Sequence, residues 1–324
     1  MGQLETVAIE SFWKALAESS HLNISLFKLR GENAHHIVEA SFKAFSRALR
    51  NYLDTPDIWF PHSLNDQLSI QLHREGMIQR QTKETRLSVH LLLNGESTDT
   101  HIETGIPMLD QFYTILAQEA NMTLTIQCHG DLWIDDHHTA EDVSIALGQC
   151  LSQALGDKAG LNRMWVGEAS IERSSTTTTT GTGAGAGAGA GASDGHHNDS
   201  SNNVNTTTTT TTKLSFPVVQ VTMDLSNRPC LVHNLHHVLG GLEYSMNDGN
   251  NNDTCPLTCE MLVHSLDSLV MNGHMTVHVI GMVPSVVDVV LGTAKAFGRA
   301  LRVCAMVDQR RAGMTASSKG TLSA

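Results

Sequence analysis

The hydrophobic pattern before residue 174 predicts two half-buried strands and two helices. Apolar and polar residues alternate in "RLSVHLLLNGES" and again in "MTLTIQCHGDLWI", which is the period of a strand with one buried face. Between them, the stretch 105–120 has apolar residues at helical spacing. A second helix is predicted at 140–156, because the same spacing continues up to Gly156 and glycine commonly follows the last helical residue.

The pattern after residue 213 repeats this plan. "VVQVTMDLS" predicts a strand, 255–272 a helix, "MTVHVI" a strand and 286–304 a helix. The repetition favours an α+β fold of two duplicated half-domains, each with a mostly four-stranded sheet and two helices. The long apolar stretch 275–294 contains His278, Pro284 and Asp288. We therefore interpret it as a buried strand followed by a buried helix and not as a membrane span.

A partial third repeat lies at the N-terminus. "HHIVEASFKAFSRALR" (35–50) begins like "HHTAEDVSIALGQCLSQAL" (137–155) and ends like "LGTAKAFGRALR" (291–302). The insert between the half-domains is rich in threonine, glycine, alanine and asparagine, so we predict disorder there, because too few apolar side chains offset the ordering entropy. The predicted segments are the partial repeat (1–55), a linker (56–76), the first half-domain (77–173), the insert (174–213) and the second half-domain (214–324).

Composition narrows the classes of function. The net charge of −12 gives no electrostatic support for binding nucleic acid or an anionic membrane. Residues 1–18 are charged and amphipathic and lack the continuous apolar core of a secretory signal. The six scattered cysteines are typical of reduced thiols in an intracellular protein. We expect a cytoplasmic protein, with an organellar location left open. Eighteen histidines is a high number and indicates metal or imidazole chemistry.

One pattern, His-His-x-x-Glu, occurs twice, in "NAHHIVE" (33–39) and "DDHHTAE" (135–141). Adjacent helical residues point about 100° apart, so two neighbouring histidines are poorly placed to bind one ion together. Glu141 lies on the face that His137 and His138 share. We interpret the unit as one histidine for each of two metal ions, with the glutamate completing one site. Imidazole with carboxylate suits Mn, Fe, Zn or Ni. Asp135 and Asp136 are expected to cap the helix or to orient the rings.

Six motifs in this order resemble the imidazoleglycerol-phosphate dehydratase family, and the similarity covers about 77–168 and 214–324. They are "RQTKET" (80–85), "TGIPMLD" (104–110), "GDLWIDDHHTAEDVSIALGQ" (130–149), "ALGDKAGLNR" (154–163), "DLSNRP" (224–229) and "SSKGTLS" (317–323). The resemblance implies a hydro-lyase of histidine biosynthesis that removes water from imidazole glycerol phosphate to give imidazole acetol phosphate. It also implies two similar α+β halves, a large homo-oligomer, a small phosphate substrate and two manganese ions per site.

The resemblance also implies roles for individual residues. Glu84 would be the acid/base. Guanidinium, hydroxyl and ammonium groups would hold the substrate phosphate, and these belong to Arg163, Arg228, Ser317 and Lys319. Lys43 or Lys295 is a further candidate. The metal ligands carried over from the family are His137, His138, Glu141, His264, His35, His36 and Glu39.

The chain also departs from the family pattern, in which each half supplies one isolated helical histidine and one His-His-x-x-Glu. The first half has Gln111 in place of its isolated histidine, with Glu119 at a further histidine position. The second half keeps His264, but its matching stretch "PSVVDVV" (284–290) offers only Asp288 as a ligand. The N-terminal copy keeps His35, His36 and Glu39 but has Ser11 at the isolated position.

The N-terminal segment thus contains what the second half lacks. We predict that residues 1–55 donate ligands, and the other interpretation is a fused remnant. Two functions remain open from the sequence. Glu84, Arg163, Arg228 and Lys319 favour the dehydratase, whereas Gln111 and 284–290 favour a catalytically inactive paralogue that acts as a scaffold or regulatory subunit.

Overall fold

The chain forms two compact units, Met1–Gln71 and Leu72–Ala324. In a computed structural model of the chain, the described residues are 5–28, 31–53, 74–93, 99–182, 205–238, 245–246, 257–282, 286–308, 311, 313–317 and 322. Lys319, one of the candidate phosphate contacts, lies outside these ranges.

The first unit is a pair of helices, α1 (Thr6–Ser20) and α2 (Ala34–Leu53). Helix α1 ends at Ser20, and the C-cap residue His21 adopts a left-handed conformation with φ 56°. Trp13 packs between Phe42 and Phe45, with ring centroids 4.7 and 5.1 Å apart. None of the residues in these two helices is fully buried. The described part of the partial repeat is therefore helical and has an aromatic cluster without a closed core.

The second unit begins with a four-stranded sheet in the order β1-β2-β4-β3. Strands β1 and β2, and β2 and β4, are antiparallel, whereas β3 and β4 are parallel. The predicted alternation is confirmed, because one face of β2 and one face of β4 are buried. The elements are β1 (Glu75–Gln81), β2 (Thr85–Leu93), β3 (His101–Glu103), α3 (Pro107–Ala120), β4 (Met122–Gly130) and α4 (His137–Leu155).

A second sheet repeats this arrangement in the order β5-β6-β10-β7, with β7 parallel to β10. Strand β10 pairs with β6 in the antiparallel sense, as β4 does with β2. The predicted α+β fold with two duplicated four-stranded halves is therefore confirmed. The elements are β5 (Met164–Thr182), β6 (Asn205–Asp224), β7 (Cys230–His233), α5 (Leu235–Val238), β8 (Ser245–Met246), β9 (Leu257–Thr258), α6 (Cys259–Asn272), β10 (Thr276–Gly281) and α7 (Val286–Ala305).

The two halves pack through their helices, α4 on α6 and α7 on α3, and each helix pair meets at a glycine. A side chain at Gly148 would come within 2.7 Å of the Leu269 carbonyl oxygen, and one at Gly298 within 2.6 Å of the Leu116 carbonyl oxygen. The matching contacts show that the two helix pairs are equivalent. Along the described ranges, no helix has the length and apolarity needed to cross a membrane, and 275–294 contains β10 and the start of α7.

The predicted boundary between the linker and the first half-domain differs from the structure. Strand β1 starts at Glu75, inside the predicted linker 56–76, and Arg74 before it is buried and donates to the Ala305 carbonyl oxygen. Residues 56–73 of the linker lie outside the described ranges.

The predicted disorder of 174–213 is wrong for 174–182 and 205–213. These residues extend β5 and β6 as an antiparallel ladder that runs as far as the pair Thr182 and Asn205. Threonine has a high strand propensity, and a ladder that starts in a packed sheet satisfies backbone groups without a core of its own. The remaining residues, 183–204, are not among those described.

Candidate metal centre

Three side chains from two helices converge on one point of the second unit. His137 and Glu141 lie on the first turn of α4, and His264 lies on α6. Their ligand atoms all lie within 4.8 Å of one another. Glu141 is central, because its Oε2 is 3.5 Å from His137 Nε2 and its Oε1 is 3.2 Å from His264 Nε2. Two imidazoles and a carboxylate form a donor set for a divalent transition metal.

A buried carboxylate joins the beginnings of the two helices that carry these ligands. Asp136 Oδ2 accepts hydrogen bonds from the Thr258 backbone N–H at 2.7 Å and from the Thr258 hydroxyl at 3.2 Å. Thr258 is the N-cap of α6, and its hydroxyl oxygen accepts from the Met261 N–H. Asp136 precedes α4 but makes no side-chain cap of its own helix. It therefore sets the position of His264 relative to His137.

The unsatisfied nitrogen of His264 supports the metal interpretation. His264 Nε2 is shielded from solvent and has no hydrogen-bond partner in the described part of the chain. The Glu141 oxygen 3.2 Å away lies within ion-pair distance, but the two groups lack hydrogen-bond geometry. A buried polar atom without a partner costs free energy, and a metal ion would satisfy its lone pair. The residues present therefore fit a divalent ion.

His138 contacts a different partner from its neighbour His137. Its Nδ1 lies 3.0 and 3.2 Å from the two carboxylate oxygens of buried Asp131. Hydrogen bonding to Asp131 raises the pKa of His138, and the nearby charges of Asp131, Glu84 and Asp135 contribute in the same direction. When Nδ1 donates to the carboxylate, Nε2 is left as a free ligand atom, which is how carboxylates orient histidines in metal sites. The structure does not bring His138 into the three-residue cluster.

Glu84, the predicted acid/base, lies at the tip of the β1–β2 hairpin and is exposed. The next residue, Thr85, donates to Asp142 on α4 at 2.5 Å, so the hairpin packs against the helix that carries His137 and Glu141. The turn is held by Thr82, whose hydroxyl oxygen accepts from the backbone N–H groups of Glu84 and Thr85.

The predicted phosphate contacts have different surroundings. Arg163 is buried, donates to both carboxylate oxygens of Asp224 at 2.7 and 3.0 Å, and donates to the Ala316 carbonyl oxygen at 2.6 Å. Arg228 is exposed, and its backbone carbonyl accepts from Thr276. Ser317 directly follows the carbonyl that Arg163 holds. Arg163 therefore braces the segment that leads to Arg228 and the segment that leads to Ser317.

The N-terminal candidates share one face of α2 in the first unit. His35 Nε2 lies 4.0 Å from Glu39 Oε2, and the rings of His35 and His36 are 5.7 Å apart. Lys43 donates to Glu39 Oε1 at 2.7 Å. The α4 copy has the same internal arrangement, with ring centroids 5.5 Å apart for its two histidines. Glu39 is thus engaged by Lys43, and this pair would have to open for Lys43 to reach a phosphate.

The equivalence of the helix pairs defines a second location at which the described residues offer few metal ligands. Leu269, which faces Gly148, corresponds to Leu116, which faces Gly298. Counting back the same number of residues from each leucine pairs His264 on α6 with Gln111 on α3. Counting back in the same way from each glycine pairs His137, His138 and Glu141 with Val287, Asp288 and Leu291. Glu119, at the further family histidine position, is instead bound by Arg299 at 2.8 and 3.0 Å. An apolar pair, an amide and one carboxylate are a poor donor set for a transition metal.

Sequence reasoning missed four buried charged residues, which are Arg74, Asp131, Asp142 and Lys158. Lys158 donates to Asn227 Oδ1 at 2.5 Å and to the His274 carbonyl oxygen at 3.0 Å, and burial lowers its pKa to about 8. A signal for Asp142 was available, because it is a charged residue on the apolar stripe of α4. Asp131 and Lys158 lie in loops, where no periodicity marks them.

Comparison with known proteins places these features in one family. The family model described as imidazoleglycerol-phosphate dehydratase matches residues 1–49 and 104–180. The protein of that name from Gloeobacter violaceus is 32% identical over 246 residues, which is 75% of this chain and 95% of the relative. The chloroplastic relative from Pisum sativum is 31% identical, over 77% of this chain and 69% of its own length. The crystal structure of the Staphylococcus aureus enzyme aligns with 72% of this chain and 99% of that chain, with 20% identity and a TM-score of 0.45.

Proposed function

Because the chain belongs to the imidazoleglycerol-phosphate dehydratase family, we propose that it removes water from imidazole glycerol phosphate to give imidazole acetol phosphate in histidine biosynthesis. The observation that carries the proposal is the cluster of His137, Glu141 and His264, in which the shielded Nε2 of His264 has no hydrogen-bond partner among the described residues. Bacterial and chloroplastic relatives support a cytoplasmic or organellar location.

The residues divide the proposed work between binding and proton transfer. His137, Glu141 and His264 would hold a divalent ion, proposed to be manganese, with His138 supplying Nε2 toward a second one. A bound ion would hold the substrate imidazole and make the adjacent C–H acidic. Glu84 is the proposed acid/base, since it is exposed at the tip of the hairpin that Thr85 connects to Asp142 on the metal-binding helix α4. Arg228, Ser317 and Lys319 are proposed to hold the phosphate dianion, and Arg163 to position two of them.

The test measures metal content and turnover of the purified full-length chain. After loading with Mn²⁺, we expect bound manganese and formation of imidazole acetol phosphate. Glu84→Gln should keep the metal and lose turnover, whereas His264→Ala should lose both. A chain that binds manganese but does not turn over the substrate would contradict the proposed activity. It would instead agree with a non-catalytic subunit.

We also propose that the α2 set of His35, His36 and Glu39 supplies ligands that the second half-domain lacks, within a large homo-oligomer. The ligand inventory supports this, because Val287, Asp288 and Leu291 stand at the equivalent positions. His35→Ala with His36→Ala should lower bound manganese per chain. The matched control is His236→Ala with His237→Ala, an adjacent exposed pair on α5. Equal metal content in both double variants would show that α2 is a fused remnant.

A further inference from the structure

A buried carboxylate that is not a ligand connects the metal-binding helix to the hairpin that carries Glu84. Asp142 follows the ligand Glu141 on α4 and is only 8% exposed. The Thr85 hydroxyl donates to its Oδ2 at 2.5 Å, and Arg80 Nη2 forms an ion pair with its Oδ1 at 2.9 Å. Arg80 is near the end of β1 and Thr85 begins β2. Both strands of the hairpin are therefore fastened to α4 at the base of the turn.

The hydrogen bonds of this turn form a directed chain that ends at Asp142. An ionised carboxylate only accepts, so the Thr85 hydroxyl must donate to it. The Thr82 hydroxyl, 3.1 Å from that of Thr85, is then the donor to Thr85. Because the hydroxyl proton of Thr82 points to Thr85, its oxygen is free to accept from the backbone N–H groups of Glu84 and Thr85, at 3.2 and 2.9 Å. The carboxylate thus fixes the direction of every hydroxyl in the turn.

We propose that Asp142, through Thr85 and Arg80, is a positioning residue that sets where the Glu84 carboxylate lies relative to the metal ligands of α4. This inference rests on the proposed dehydratase function for its catalytic part. Asp142 and Glu141 are adjacent on one helix, so the carboxylate that anchors the hairpin moves with the carboxylate that binds the metal. A proton acceptor at a hairpin tip needs such an anchor, because a displacement of about 1 Å can cost about 100-fold in rate.

The surroundings of the carboxylate favour positioning over a role in stability alone. Burying an ion pair carries a large desolvation cost. If Asp142 served stability alone, an apolar residue at this position of α4 would stabilise the fold as well or better. Arg80 Nε is also buried without a partner in the described part of the chain. An arrangement that leaves a buried donor unpaired is expensive in free energy, which is common where geometry at a site matters more than stability.

The test compares two substitutions of Thr85 that differ in one group. Thr85→Val keeps the shape and removes the hydroxyl, while Thr85→Ser keeps the hydroxyl and removes a methyl group. We expect Thr85→Val to lower kcat about 10- to 100-fold with little change in KM and unchanged manganese content. Thr85→Ser should retain most of the kcat. Arg80→Gln, at the more exposed partner, is a second variant that also weakens the anchor and is less disruptive to folding.

A readout without substrate separates this inference from the proposed function. Amide hydrogen exchange at Glu84 and Thr85 should speed up in Thr85→Val and Arg80→Gln but not in Thr85→Ser. If the wild-type chain does not turn over the substrate, the dehydratase proposal fails and the exchange data still decide the positioning. Unchanged exchange and unchanged kcat in Thr85→Val would overturn the inference, as would a loss of manganese equal to that of His264→Ala.

Discussion

Two adjacent aspartates before α4 should have very different effects on stability. Asp136 is 5% exposed and accepts two hydrogen bonds from Thr258, whereas Asp135 is exposed and accepts one bond at 3.0 Å from the His137 N–H. Hydrogen bonds to charged groups are worth about 1.5–3 kcal/mol each. The bond at 3.2 Å is the weaker one, and removing the carboxylate also removes its desolvation cost. We expect Asp136→Ala to lower the free energy of unfolding by about 2–3 kcal/mol and Asp135→Ala by less than about 1 kcal/mol.

Urea unfolding of both variants, followed by a tertiary-structure probe, measures this difference. The comparison uses the shift of the urea midpoint at constant slope, because the slope reports the surface exposed on unfolding. Residues 1–71 form a separate unit and contribute equally to both variants. Asp136→Ala should also weaken manganese binding, because the start of α6 and therefore His264 lose their attachment to α4. Asp135→Ala should leave the affinity close to that of the wild type.

The result that would refute this reasoning is an equal loss of stability in the two variants. It would mean that the Asp136–Thr258 contact adds nothing to what any carboxylate before α4 provides. A large loss of stability in Asp136→Ala with unchanged manganese affinity would refute the second half of the prediction, that this contact places His264.

Three further predictions follow from buried features of the second unit. Gly148→Ala should destabilise the fold by about 1–3 kcal/mol, because the added methyl group would lie 2.7 Å from the Leu269 carbonyl oxygen; a stabilised variant in urea unfolding would contradict the close approach. Asp131→Asn should weaken manganese affinity about 10- to 100-fold in a metal titration, since it orients His138; an unchanged affinity would show that His138 is not a ligand. Burial lowers the pKa of Lys158 from 10.5 to about 8, so the unfolded chain binds more protons between these values and the free energy of unfolding should rise with pH across that window. Lys158→Met should lack this rise, and an identical pH profile for both proteins would refute the assignment.

Most of the fold could be predicted from periodicity, and the failures have physical reasons. Strand β2 and helices α3, α4 and α7 lie close to their predicted ranges, because burial of one face imposes the period directly. The extension of β5 and β6 does not follow from apolar content, because these residues carry few apolar side chains. A ladder that continues from a packed sheet instead needs only backbone pairing and a residue such as threonine that favours strands.

The ligands of the candidate site could be predicted from the sequence, but the residues that position these ligands could not. His137, Glu141 and His264 were identified from motifs, and their convergence depends on how α4 packs on α6, which no local pattern encodes. Asp136 was expected to cap α4 or orient a ring and instead holds Thr258, far away in the chain. The family resemblance predicts that Arg163 contacts the phosphate. Its ion pair with Asp224 could not be predicted from the sequence, because the two residues come together only when β5 and β6 pair.

The register of the β5–β6 ladder has a consequence for how this gene can vary. In every pair from Thr176–Thr211 to Thr180–Thr207, a threonine of β5 is paired with a threonine of β6. A slip by two residues there would still leave four of these five threonine pairs, whereas nearer the sheet the irregularity between Ala169 and Ser170 and the pairing of Trp165 with Met223 fix a single alignment. Gain or loss of threonine codons in these tracts would therefore change the length of the ribbon and leave the sheet and the metal ligands where they are.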